Sequence, residues 1–222
     1  MTLFTLIVVL ILLTIGDFVA KAVAENDIAS QIQSNGLPVK PSVTIEGFPF
    51  LTQVIARDLK QIDISASEIP VNAGPTTINI TSIKASITGL HLNSSFNGGT
   101  ANHATGTVFV SFADLAPGFG DLPGGFTLTQ AGPNLVKLTA GIGPLSDTEE
   151  ARITYSATKV SIQFVNSGGL LSGIFSSLAP FSFSLPAGVP TGLRITNASV
   201  TSQGLTATVA GNNVLLTQPK KS

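Results

Sequence analysis

From residue 43 to residue 210, segment after segment of the chain alternates Val, Ile, Leu or Phe with Thr, Ser or Asn. The runs are 43–46, 61–69, 76–92, 105–115, 135–140, 149–165 and 193–210. A period of two puts successive side chains on opposite faces of a β-strand, so each run predicts one apolar face and one hydroxyl-rich face. Several runs are long. Read as a single strand, 149–165 would extend roughly 55 Å at about 3.3 Å per residue, where five or six residues is usual. Its alternation also slips, from Ile153, Tyr155 and Ala157 to Val160, Ile162 and Phe164, as happens at a β-bulge that bends a strand. The expectation is a long, curved, mostly antiparallel sheet.

Composition then limits what such a sheet can do. Only 10% of the residues are charged and the net charge is −1, so no basic field is available for a nucleic-acid backbone. Cysteine is absent, which excludes disulfides, thiolate nucleophiles and thiolate metal ligands. A mean hydropathy of +0.43 without a long apolar run after the N-terminus implies apolar surface beyond an ordinary core. The 222 residues accommodate one domain behind a leader. The divisions read from the sequence are a leader over 1–24, a single domain over 25–216 and a flexible tail over 217–222 that contains Lys220 and Lys221.

Residues 3–15 are apolar except for Thr5 and Thr14, and span roughly 20 Å as a helix. One reading is a signal peptide with Ala22-Val23-Ala24 as its small-x-small cleavage site. The other is an uncleaved membrane anchor continuing through Phe18, Val19 and Ala20, with Lys21 snorkelling to the interface. Either places the domain outside the plasma membrane. From Asp17 the spacing of Phe18, Ala22, Ile28 and Ile32 predicts an amphipathic helix with Lys21, Glu25, Asp27 and Gln31 elsewhere on its wheel. Asn35-Gly36 ends that helix and Pro38 prevents its continuation. Shorter helices are expected at 51–58 and 170–178, and a Pro/Gly loop at 116–125.

Catalytic and metal signatures are weak. His91 and His103, the two histidines, have no companions at metal-ligand spacing. The segment Gly169-Leu170-Leu171-Ser172-Gly173 has its serine one place late for a nucleophile elbow. Asp147, Glu149 and Glu150 read as a solvated acidic loop. No catalytic residue, metal or cofactor is therefore assigned.

The stretch from Pro41 to Val54 reads Pro-Ser-Val-Thr-Ile-Glu-Gly-Phe-Pro-Phe-Leu-Thr-Gln-Val. With Ala104-Thr105-Gly106-Thr107-Val108, Ala113-Asp114-Leu115, Gly192-Leu193-Arg194-Ile195 and Gln203-Gly204-Leu205, it resembles the LmeA-like phospholipid-binding family of actinobacterial envelopes. That resemblance implies an α+β domain in which a long curved sheet wraps a long N-terminal helix, as in tubular lipid-binding folds. It also implies a periplasm-facing phospholipid binder with a part in lipoglycan maturation. An acyl chain gains roughly 0.8 kcal/mol per methylene on entering an apolar groove, so such a site is mainly apolar lining. The candidate lining is Phe48, Phe50, Leu51 and Val54 on one side and Leu171, Ile174, Phe175, Leu178, Phe181 and Phe183 on the other. Arg57, Lys60 and Arg194 are the cations available to a headgroup phosphate. The expected partners are phospholipid and a membrane surface. Two other classes stay open: a structural or adhesive surface β-protein, and a lipid-acting hydrolase using Asp114 and His103.

Overall fold

The computed structural model describes residues 2–73, 76–119, 125–142, 145–165, 181–185 and 189–217. Helix α1 (Thr2–Ser34) is followed by strand β1 (Ser42–Glu46), helix α2 (Phe50–Ala56), and the long strands β2 (Asp58–Ala73), β3 (Thr76–Leu92) and β4 (Gly98–Ser111). A short helix α3 (Phe112–Leu115) and a 3-10 turn (Ala116–Phe119) lead to β5 (Phe126–Gly132), β6 (Leu135–Ile142), β7 (Leu145–Tyr155), β8 (Lys159–Val165) and β9 (Phe181–Ser184). The chain returns through β10 (Arg194–Val200) and β11 (Gly204–Thr217). The strands form two antiparallel sheets, one ordered β1-β2-β3-β4-β11-β10 and the other β5-β6-β7-β8-β9. This is the α+β architecture the sequence predicts.

The register of the six-stranded sheet follows directly from the alternation. Val43, Ile64, Ala85, Gly106, Val209 and Ile195 form one row across all six strands. One residue along, Thr44, Asp63, Ser86, Thr105, Ala210 and Arg194 form the next row, on the opposite face. A slip of one residue in any pair would bring hydroxyls onto the apolar face, which fixes the pairing. An antiparallel sheet of this kind covers one face and wets the other.

Two cores form on this framework. At one end, Ala29 of α1, with Ile28 and Ile32 half-buried beside it, packs with Val43, Ile45, Phe50, Leu59, Ile62, Leu90 and Val214. At the other, Val136, Leu138, Ala151, Ile153 and Ile162 of the second sheet pack against Val110, Ile195, Val200 and Leu205 of the first. Each fully buried Leu or Ile contributes about 1.5–3 kcal/mol through removal of its apolar surface from water.

Helix α1 is one rod. Asn35 N–H donates to the Gln31 carbonyl at 3.0 Å, and Gly36 adopts a φ of 114°, the left-handed end that Asn35-Gly36 predicts. The orientation of the rod differs from the amphipathic wheel expected from sequence. Phe18 and Ala22 are exposed, whereas Lys21 and Glu25 are half-buried and ion-paired at 3.6 Å. The Glu25 carboxylate accepts the Ile45 N–H at 2.7 Å, and the buried Asp17 carboxylate accepts N–H groups of α2, so polar anchoring chose the inward face. Among the described residues no helix is long and apolar enough to cross a membrane.

Other sequence expectations are also corrected. The slip within 149–165 is a hairpin rather than a bulge: β7 and β8 pair Tyr155 with Val160 and Ile153 with Ile162. No Gly or Pro marks its turn, where Ser156 N–H donates to the Lys159 carbonyl at 2.8 Å. Likewise 193–210 divides into β10 and part of β11, joined at 201–203. The end of 105–115 turns into α3, capped by the Ser111 side chain. Asp147, Glu149 and Glu150 lie on β7 and not in a loop, with Glu149 buried. Bulges do occur, between Ile195 and Asn197 and between Gln130 and Gly132. Strands β5 and β9 have no counterpart among the runs read from the sequence. The expected helix over 170–178, the tail over 218–222 and residues 120–124 of the Pro/Gly loop lie outside the described residues.

Candidate functional site

The apolar face of the six-stranded sheet is not uniformly covered. Ala66, Ile83, Val108 and Ala207 form one row of it, next to the row containing Ile64, Ala85, Gly106 and Val209. Except for Gly106, these residues are half-buried, while rows toward either end are sealed by α1 or by the second sheet. Ala66, Ile83, Ala85 and Val108 belong to neither core. The strip thus lies between the two cores, and half of its eight positions are Ala or Gly. At Gly106 the floor has no room for a side chain, because an added Cβ would stand 2.8 Å from Val209 Cγ2. Half-exposed apolar side chains at the middle of a sheet leave apolar surface in contact with solvent. The sequence contains this signal, since 64, 66, 83, 85, 106, 108, 207 and 209 are the inward positions of four strands. Sequence reasoning misses it because half-exposure in the middle of a sheet is decided by what packs over each end.

The opposite face carries an open depression of about 380 Å³ lined by Ser42, Thr44, Asp63, Ser65, Lys84, Ser86, Thr105 and Thr107, with Ile64, Ala85 and Gly106 between them. Its outward side chains are hydroxyls, one carboxylate and one ammonium. The apolar strip and the polar depression therefore belong to opposite faces of one sheet.

The Gly47-Phe48-Pro49-Phe50 block turns the chain from β1 into α2. Gly47 has a φ of 96°, and an added Cβ there would lie 2.8 Å from Gln53 Nε2. Buried Gln53 closes the turn, donating to the Glu46 carbonyl at 3.2 Å and accepting the Lys60 N–H at 3.0 Å. The Phe48–Pro49 peptide is cis. Pro49 provides no side-chain cap for α2. Instead Asp17, from the first helix, accepts the N–H groups of Phe50 and Leu51 at 2.8 and 2.7 Å. A carboxylate at a helix N-terminus satisfies otherwise unpartnered donors and meets the positive end of the peptide dipoles.

The four candidates in this block separate. Phe50 is buried in the core beneath α1, and Val54 packs half-buried against the same core. Phe48 is exposed and stacks on exposed Phe18, ring centroids 5.9 Å apart, and Leu51 is also exposed. Of the second group, Phe183 packs half-buried against the core between the two sheets. Phe181 pairs with Ile162 at the start of β9, and its side chain lies outside the described residues. Leu171, Ile174, Phe175 and Leu178 also lie outside them.

The cations are not gathered at one point. Arg57, in the left-handed conformation that ends α2, lies over the Phe96 ring at 5.4 Å from the centroid. Lys60 is exposed on β2. Arg194 is on β10, at the far edge of the sheet and on its hydroxyl face, in the row of Asp63. Lys84, which sequence reasoning passes over, lines the polar depression.

The remaining polar suspects have structural partners. Asp114 accepts from Ser111 Oγ at 2.7 Å and from Thr81 Oγ1, tying α3 to β3. His103 Nδ1 pairs with Asn212 Oδ1 at 2.6 Å on the exposed hydroxyl face. Roughly 25 Å of strand separate His103 from the Ser111 that holds Asp114, so the two do not form an acid–base pair. His91 sits 3.4 Å from Asp58, both exposed. Among the described residues no three metal-capable side chains converge.

The fold defines an α+β protein whose antiparallel sheet carries a half-buried apolar strip between two cores. The family is specific: the chain belongs to the LmeA-like phospholipid-binding family, whose model matches residues 15–210. No curated protein and no solved structure matches it.

Proposed function

We propose that this protein binds a phospholipid by laying its acyl chains along Ile64, Ala66, Ile83, Ala85, Val108, Ala207 and Val209, and that it holds or transfers this lipid on the outer face of the plasma membrane. The observation that carries the reading is the half-buried apolar strip whose central residues join neither core. Membership of a phospholipid-binding family supports phospholipid as the ligand. Burial of a dozen methylenes at about 0.8 kcal/mol each supplies the affinity, outweighing any single polar contact. Of the headgroup cations Arg57, Lys60 and Arg194, Arg194 lies on the hydroxyl face opposite the strip, which leaves Arg57 and Lys60 as the candidates. The export-type N-terminus supports the envelope setting, in line with a contribution to lipoglycan or envelope biogenesis. The proposed role is binding and not catalysis, which membership of a phospholipid-binding family supports.

Native mass spectrometry of the purified protein tests it. Phospholipid is expected to accompany the wild-type chain and to be lost from Ile83→Asp and Val108→Asp. Thr107→Asp, on the neighbouring position of β4 but the opposite face, is expected to retain it. Equal lipid recovery from all three folded variants would refute the strip as the site. Protease accessibility of the domain in intact cells tests its location, and protection until lysis would contradict the exported setting.

A further inference from the structure

Helix α1 is apolar on the side that faces away from the protein. Leu12, Leu13, Ile15, Phe18, Val19 and Val23 are all exposed, Phe18 to 62%. The charged residues of the same stretch, Asp17 and Lys21, face the domain instead. The apolar face ends abruptly at Asn26 and Asp27, both exposed. Helix α2 extends the surface: Phe48 stacks on Phe18, Leu51 is exposed, and Ile55 is 81% exposed. At its margin Arg57 lies over Phe96, itself half exposed.

We propose that this joint face of α1 and α2 seats in a lipid bilayer, with Ile55, Leu51 and Phe48 immersed at the level of the interface and Arg57 at the headgroups. Three observations select a bilayer over a protein partner. First, the exposed residues Leu12, Leu13, Ile15, Phe18, Val19 and Val23 of α1 run on into Phe48, Leu51 and Ile55 as one apolar surface, the kind of face that an interfacial helix buries among acyl chains. Second, the exposed side chains of α1 between 12 and 23 offer no polar group to a protein's rim, and the Thr52 hydroxyl of α2 is already spent on the Pro49 carbonyl at 2.8 Å. Third, an arginine lying on a phenylalanine at the edge of the patch suits the boundary where an apolar stem and a charged head part company. Asp17 makes the arrangement rigid, because its two bonds to α2 hold both helices in one plane of approach. The inference extends the proposed function by naming the membrane contact, but it concerns a surface other than the acyl strip.

The absence of tryptophan makes the test clean. In the full-length chain, Ile55→Trp is expected to give blue-shifted emission with vesicles of phosphatidylcholine and phosphatidylglycerol, and to be quenched by brominated acyl chains. Tyr155→Trp, exposed on β7 of the second sheet, is expected to show neither effect. Ile55→Asp is expected to weaken vesicle partition by about tenfold or more without altering lipid copurification. Unshifted emission from the Ile55→Trp variant, or equal quenching in both tryptophan variants, would overturn the proposal. So would an emission shift of the Ile55→Trp variant that depends on protein concentration without vesicles, which points to a second copy. Loss of lipid copurification in Ile83→Asp with intact vesicle docking keeps the two readings separate.

Discussion

Asp17 shows how much one side chain can carry. It is 4% exposed, and its carboxylate takes the place of a cap that Pro49 does not supply. Replacing it with Ala leaves two N–H donors at the start of α2 without their acceptor. The expected loss is about 1–3 kcal/mol in urea-induced unfolding, with Asp17→Asn recovering part because it retains one acceptor oxygen. Gly47→Ala is expected to destabilise the same turn, since it combines a positive φ with a contact on the Gln53 amide, which two hydrogen bonds hold in place. The two phenylalanines flanking Pro49 are equivalent in sequence. Phe50 faces the core and Phe48 the outside, because α2 begins between them and turns the backbone; Phe50→Ala is expected to cost about 3–5 kcal/mol and Phe48→Ala far less, measured by thermal unfolding.

At the scale of elements, helix α1 joins what the sequence divides. Residues 1–24 read as a leader, yet Asp17, Phe18, Ala20 and Ala24 all contact the domain in the structure. Removing residues 1–24 is therefore expected to lower the unfolding midpoint of the domain and to increase hydrogen exchange at the N–H groups of Phe50 and Leu51. An unchanged midpoint would show that α2 finds another cap. The β7–β8 hairpin teaches a related point. Its turn, Ser156 to Thr158, contains no Gly, Pro or Asn, so the register change reads as a bulge. Only the pairing of Ile153 with Ile162 distinguishes a reversal from a kink.

For the molecule as a whole, one sheet contributes to two cores. The core under α1 and the core under the second sheet share the strands β3, β4 and β11 but no buried residue. Ile45→Ala and Leu138→Ala, one in each core, are each expected to cost about 2–5 kcal/mol. Their effects are expected to add within about 0.5 kcal/mol in denaturant unfolding, as for sites without shared partners. Strong non-additivity would mean that the strip between the cores transmits strain and is more tightly packed than its exposure indicates.

The alternation of apolar and hydroxyl residues determined by itself that this chain is β-rich, with one apolar and one wet face, because a period of two leaves no other way to segregate them. Residues 76–92 form β3 as read, and Asn35-Gly36 ends α1 as read, since both signals are local. The motifs around Pro41 to Val54 and Gly192 to Ile195 likewise carried the family resemblance. What tertiary structure alone decided is which apolar positions are core and which are available. Ile62 and Ile83 are indistinguishable in the sequence, two isoleucines on the same face of adjacent strands. Helix α1 covers one, while the other falls in the interval between the helix and the second sheet. Burial depends on what arrives from elsewhere in the chain, and no local pattern encodes that.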